Sequence, residues 1–133
     1  MYTKQVLLFA LAAVVPALAQ DGVITCQTTD GSPTTEDVTG VINQLKGRAS
    51  DICGNDNNAG SHCTTLATQG TAAIARCGTD TLDNAGTPDY TCGQIAEYAE
   101  GIQGACINGD LIGGTNTVEM DSADTDRVEV IHS

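Results

Sequence analysis

The chain has 133 residues, with 17 carboxylates against five Lys and Arg and a formal net charge of −12, enough material for one acidic domain. That charge repels phosphate backbones and anionic lipid headgroups, which excludes nucleic acid as a partner and argues against membrane insertion. Trp is absent and only one Phe and three Tyr occur, so aromatic packing adds little to any core.

The first predicted element is a leader. Lys4 precedes an apolar run from Val6 to Val15, Pro16 breaks the run, and Ala17-Leu18-Ala19 follows as an A-x-A cleavage signal. About ten apolar residues at about 1.5 Å rise do not span a bilayer. Residues 1–19 are therefore expected to be a secretory signal peptide, with the mature chain starting at Gln20 or Asp21 and the protein extracellular. Cleavage leaves 114 residues that keep all 17 carboxylates but only four bases (Lys46, Arg48, Arg76 and Arg127), a net charge of about −13. Leu, Ile and Val number 19 in that part. A share below about 20 per cent at high net charge leaves a chain disordered unless it has covalent help.

Cysteines supply that help. In an oxidising compartment Cys26, Cys53, Cys63, Cys77, Cys92 and Cys106 form three bridges. A bridge closing about 15 residues is worth about 3 kcal/mol in the loop-entropy model. Their successive gaps of 27, 10, 14, 15 and 14 contain no C-x-x-C, and only His62 lies among them, so no metal site is expected. No N-x-S/T acceptor for N-glycosylation occurs.

Val23 to Thr28 is rich in β-branched residues and ends at the Asp30-Gly31 turn signal, which predicts strand one. Ser32-Pro33-Thr34-Thr35-Glu36-Asp37 carries the marks of a helix start. Val38, Val41, Ile42, Leu45, Ala49 and Ile52 then form one apolar stripe, ended by Gly54 and weakened at Gly40 and Gly47. Asn55 to Gly60 reads as a loop. Ser61 to Leu66 and Thr71 to Cys77, joined through Thr68-Gln69-Gly70, read as a hairpin, although Ala72 to Ala75 equally fits a helix. Gly78 to Tyr90 reads as a long surface loop.

Thr91-x-x-Gln94 is a capping-box pattern, and Ile95, Tyr98, Ala99, Ile102 and Cys106 form a second helical stripe with Glu97 and Glu100 on its wet side. Asn108-Gly109 stops it. Leu111-Ile112 and Thr115 to Met120 predict a last strand across Gly113-Gly114, a bulge or a close backbone approach. Residues 121–133 read as an acidic tail in which Val128-Glu129-Val130 can add an edge strand.

The order β-α-β-β-α-β over residues 20–120 predicts an α+β fold: a disulfide-stapled two-layer α/β sandwich of the split βαβ, ferredoxin-like kind, with two helices on one face of a four-stranded antiparallel sheet. Cys92 and Cys106 flank helix two, about 21 Å apart along its axis, and a disulfide needs Cα atoms within about 7 Å. Each must therefore bond elsewhere. With strand one running up, helix one down and helix two up, Cys26 and Cys106 share the upper half, which predicts Cys26–Cys106. Cys53, Cys63, Cys77 and Cys92 share the lower end and leave three pairings open.

No catalytic constellation is legible. There is no G-x-S-x-G, and Ser61-His62 sits at no strand-to-helix elbow. His132 lies one residue from the end of the sequence. With all cysteines bridged no thiolate nucleophile remains. Glu97 and Glu100 are close enough for a glycosidase pair but face solvent, and only Tyr90 and Tyr98 offer aromatic faces for a sugar. Asp51 to Asn58 is oxygen-rich without the spaced D-x-[DN]-x-[DN]-G ligands of a calcium loop. Nothing cradles phosphate. The expectation is a non-enzyme with no cofactor and no metal.

Gly70 to Gly78, Cys92 to Ala99, Ile102 to Cys106 and Gly113-Gly114 together resemble small cysteine-rich secreted proteins of filamentous fungi, and most of all their killer-toxin-like α/β-sandwich effectors. The resemblance spans roughly Cys26 to Val118. It implies a fungal source, a disulfide-stapled two-helix sheet fold, and non-enzymatic action on a host plant or a competing microbe, with no shared catalytic residues to carry over. The function expected is that of a virulence-associated effector binding an extracellular host or microbial protein or wall component in the host apoplast. An antimicrobial killer-toxin-like protein and a small secreted hydrolase are the alternatives.

Overall fold

The computed structural model describes residues 22–55, 61–78, 90–120 and 124–133. The expected leader, and the expected loops over 56–60 and 79–89, lie outside the described residues. Strand β1 (Val23–Cys26) opens the described chain. Helix α1 (Thr35–Lys46) follows, and its cap is Thr34, whose side chain accepts from the Asp37 N–H at 3.3 Å. Glu36 and Asp37 lie in its first turn and Lys46 in its last, each at the favoured end of the dipole. Its buried face is Val38, Val41, Ile42 and Leu45.

The apolar stripe does not continue to Ile52 as a helix. The chain leaves α1 at Gly47 and turns, and Ile52 is 58% exposed. Tertiary pairing decides this: the Cys53 N–H donates to the Tyr90 carbonyl at 2.8 Å and the Cys92 N–H to the Asp51 carbonyl at 2.8 Å, beside the Cys53–Cys92 disulfide.

Strands β2 (Cys63–Gln69) and β3 (Ala72–Cys77) form the hairpin, with Cys63 opposite Cys77 and a register shift between Thr65 and Ala67. Ala72 to Ala75 is strand. Helix α2 (Cys92–Cys106) begins with a complete capping box between Thr91 and Gln94. Leu111-Ile112 does not extend the following strand. Strand β4 (Ile107–Asn108) pairs with β5 (Leu111–Ile112) in a small separate ribbon around Gly109, whose φ is +60°. Strand β6 (Gly114–Met120) starts where three segments converge: a Cβ on Gly114 would lie 2.7 Å from the Thr25 carbonyl oxygen and 3.1 Å from Cys106 Sγ.

Two expectations are corrected here. Residues 124–132 are strand β7 (Asp124–His132), and the main sheet has five strands, not four, in the order β1-β6-β7-β3-β2 with every neighbour antiparallel. The segment read as a tail with an optional edge strand is the sheet's central strand, bonded on both sides. Its alternate residues Asp126, Val128 and Val130 are buried, and Arg127 and Glu129 between them turn outward. Because β1 sits at the edge, the strand order is not that of a split βαβ fold; the coarser class, α+β with two layers, stands.

Both helices cover one face of the sheet, α1 over β2 and β3, and α2 over β1, β6 and β7. Between the layers Val41, Leu45, Ile74, Ile95, Ile102, Val128 and Val130 are buried, with Ala72, Ala96 and Ala99 letting the layers approach closely. The three disulfides are Cys26–Cys106, Cys53–Cys92 and Cys63–Cys77, with sequence separations of 80, 39 and 14. They join β1 to the end of α2, the exit of α1 to the start of α2, and β2 to β3.

In the loop-entropy model these separations are worth about 4.5, 4 and 3 kcal/mol singly. Replacing Cys26 and Cys106 together by Ala is expected to destabilise the oxidised protein by about 4 kcal/mol. The Cys63/Cys77 double replacement is expected to cost less, because the hairpin ladder already holds those strands together. Urea unfolding of the two variants gives the ranking, and a larger loss for the hairpin pair would contradict it.

Candidate functional site

The buried polar groups gather at the end of the sheet where β3 leaves and β7 enters. Arg76 follows Ala72 and Ile74 on the inward face of β3, and Asp126 precedes Val128 and Val130 on the inward face of β7. Both are buried. Arg76 Nη2 lies 3.2 Å from Asp126 Oδ2, and Nη1 donates to the Cys53 carbonyl at 3.1 Å. The guanidinium carbon stands 4.9 Å from the centre of the Tyr90 ring, which meets Tyr98 edge-on at 5.7 Å. Burial, then the neighbouring Tyr98 and Asp126, push the Tyr90 hydroxyl far above the ordinary phenol range. Tyr90 is thus a neutral wall of this cluster at any physiological pH.

Asn55 closes the same end. Its Nδ2 donates to the carbonyls of His62 (2.7 Å) and Gly78 (3.2 Å), and its Oδ1 accepts from Thr64 Oγ1 at 2.8 Å. The residues of the oxygen-rich segment that are described, Asp51 to Asn55, therefore act in backbone pairing and in this clamp. His62 contributes through its backbone as well: its φ is +52°, and its carbonyl also accepts from the Gly78 N–H at 3.0 Å.

The other residues singled out in the sequence are dispersed. Glu97 is exposed on α2, and Glu100 forms an ion pair with Lys46 that ties α2 to α1. His132 is exposed at the end of β7, far along the strand from Asp126. Among the described residues, the grouping of His, Cys, Asp or Glu close enough to hold an ion is Cys63, Cys77 and Glu129, and its two sulfurs form a disulfide. An open cleft of about 500 Å³ lies at the start of α1, lined by Thr34, Thr35, Glu36 and Asp110. Its helix-end donor is already engaged, since the Thr35 N–H and hydroxyl both donate to the Asp110 carbonyl, at 2.7 and 3.1 Å. Among the described residues no helix is long and apolar enough to cross a membrane.

At the opposite end, Asp37 fixes the β2–β3 turn to α1. Its Oδ2 accepts from the Thr71 N–H and the Thr71 hydroxyl, each at 2.7 Å. These bonds, led by the Thr71 N–H, hold its carboxyl below the usual carboxylate range. Gly70, at φ +53°, brings the turn so close that a Cβ there would lie 2.5 Å from the carboxylate. Ser133 completes the corner, with its N–H donating to the Thr71 carbonyl at 2.9 Å and its hydroxyl to Gly70 at 2.7 Å.

Sequence reasoning missed Arg76, Asp126 and Asn55 as buried groups. The period-two patterns Ile74-x-Arg76 and Asp126-x-Val128-x-Val130 carried the signal for the first two. No family model, curated protein or solved structure matches this chain.

Removing one partner of the buried ion pair leaves an uncompensated charge. Arg76→Met alone is expected to cost about 3–5 kcal/mol, with most of it restored when Asp126→Leu is added; urea unfolding of the single and double variants checks the recovery. Asp37 gives a pH test. Its folded-state pKa is depressed, so its stabilisation is present above the unfolded value near 4 and is lost as pH falls through the folded value. Asp37→Asn is expected to be less stable near pH 7 and to lose less on acidification, read as a shallower acid limb in thermal midpoints.

Proposed function

We propose that this protein is a secreted, non-enzymatic effector that acts by binding an extracellular protein or wall component in the host apoplast. The observation that carries the reading is the placement of the three disulfides. Each joins different elements, and together they hold β1, α2, the exit of α1 and the β2–β3 hairpin. Six paired cysteines fit an oxidising compartment. Cross-links that tie edge strands and helix ends suppress the local openings through which proteases cut, and this suits a protein that works among them. The resemblance to killer-toxin-like α/β-sandwich effectors supplies the finer part of the reading, the fungal source and the host.

The buried polar groups support a binding role in a second way. Arg76, Asp126, Asn55 and Asp37 have their hydrogen bonds directed into the fold, where they set the two ends of the sheet. The surface available to a partner among the described residues includes hydroxyls, amides and carboxylates together with the exposed apolar side chains of Val23, Ile52, Ile107 and Ile131.

A pull-down from host extracellular fluid with the oxidised protein is expected to retain a specific component that the reduced and alkylated protein does not retain. Equal retention by both forms, or none by either together with unchanged host colonisation after loss of the gene, would sink the reading. Growth inhibition of competing fungi or bacteria by the purified protein would favour the antimicrobial alternative instead.

A further inference from the structure

The five-stranded sheet has two open edges, and they are finished differently. On β2 the ladder is interrupted near Leu66, and α1 and the turn after it reach across: Arg48 Nη2 donates to the Leu66 carbonyl at 2.6 Å and Gln44 Nε2 to the Thr68 carbonyl at 2.9 Å. A bulge and side chains that occupy the outward carbonyls are devices that keep an edge from recruiting another chain. β1 has neither. Residues Gly22 to Thr28 contain no charge and no Pro, in a chain of net charge −12. Val23 is 69% exposed, Thr25 and Cys26 are exposed too, Ile24 packs inward, and Cys26 on the same face is tied to Cys106.

The register fixes which groups are on offer. The Gln27 N–H donates to the Gly113 carbonyl at 2.8 Å, continuing the β1–β6 ladder. Antiparallel pairs alternate, so Val23, Thr25 and Gln27 turn their backbone groups toward β6 while Ile24 and Cys26 turn theirs away from the sheet.

We propose that β1 is a pairing edge for a second copy of this chain, across a two-fold axis at Thr25 that joins two sheets into one. Ile24 of each copy then stands opposite Cys26 of the other, and the outward N–H and C=O groups of both residues exchange hydrogen bonds in both directions. Thr25 faces its own counterpart in a non-hydrogen-bonded pair. Three observations select a second copy as the occupant. The outward groups are self-complementary under that axis. The strand is uncharged, so two strongly acidic molecules meet there with least repulsion. The neighbouring flank of α2 is also small: Gly101 lies over Ile24, a Cβ on it meeting Ile24 Cδ1 at 3.4 Å, and Ala105 one turn on is exposed. α2 covers β1, β6 and β7, so its small Gly101–Ala105 flank leaves the outer side of β1 open to an incoming strand.

Sedimentation equilibrium of the purified oxidised protein, at low and high salt, tests this. A reversible dimer is expected that tightens with salt as the net charge is screened. Thr25→Glu sets two carboxylates about 5 Å apart at the axis and is expected to raise the dissociation constant at least about tenfold at low salt, whereas Thr25→Val keeps the dimer. Thr25 is exposed, and peptide mapping of the three disulfides verifies that each variant is folded. Independently of any variant, amide exchange at Ile24 and Cys26 slows as the unmodified protein is concentrated. A monomer at both salts up to about 1 mM, a dimer indifferent to Thr25→Glu, or unchanged exchange at Ile24 and Cys26 on dimerisation would each overturn the proposal. Capture of an unrelated extended peptide on β1 by a protein that stays monomeric would overturn it as well.

Discussion

The bond between Cys26 and Cys106 holds together parts that have little else to hold them. β1 is four residues long, has a single ladder neighbour and is exposed along most of its length. A strand of that kind frays unless something ties it down. The disulfide fastens its last residue to the last residue of α2, and Thr28 Oγ1 adds a hydrogen bond to the Cys106 carbonyl at 2.6 Å. The junction also explains Gly113 and Gly114. Their backbone runs so close to Gln27, Thr25 and the Cys106 sulfur that side chains there would collide with it. From this corner the chain enters β6, and the register of β6 sets that of β7.

A thin aliphatic interior makes such fastening necessary. Most of the core is Val, Ile and Ala, with Tyr90 and Tyr98 as the aromatic part. Among the described residues, the acidic groups are kept to the surface except where a partner offsets the burial. Asp126 meets Arg76 between the layers, and Asp37 meets the Thr71 N–H and hydroxyl at the hairpin turn. The two arrangements stand at opposite ends of the β3–β7 ladder. One fixes the exits of the hairpin, and the other fixes its turn to α1.

Local signals in the sequence predicted local structure well. The Thr91/Gln94 capping box, the apolar face of α1 as far as Leu45 and the turn glycine at Gly70 each act within a few residues, so pattern alone locates them. What failed was decided at long range. Ile52 completes a helical stripe in sequence yet is exposed, because backbone pairing with Thr91 and the Cys53–Cys92 bond redirect the chain. The segment 124–132 looked like a solvated tail because charges are read one at a time. Its alternation, Asp126-x-Val128-x-Val130, is present in the sequence, but a buried Asp126 makes sense only with Arg76, 50 residues earlier, as its countercharge. Composition identified the need for disulfides, while the partners of Cys53 and Cys63 depended on where α1 ends. Asn55 stayed hidden for the same reason, since the carbonyls of His62 and Gly78 that it clamps lie 7 and 23 residues away.

The central position of β7 has a consequence for how the molecule is built. β1 and β6 form one part of the sheet, β2 and β3 the other, and among the described residues β7 is the strand that pairs with both. It is also the last of the five to be made. The sheet is therefore continuous only once its last strand in sequence lies between the other two pairs.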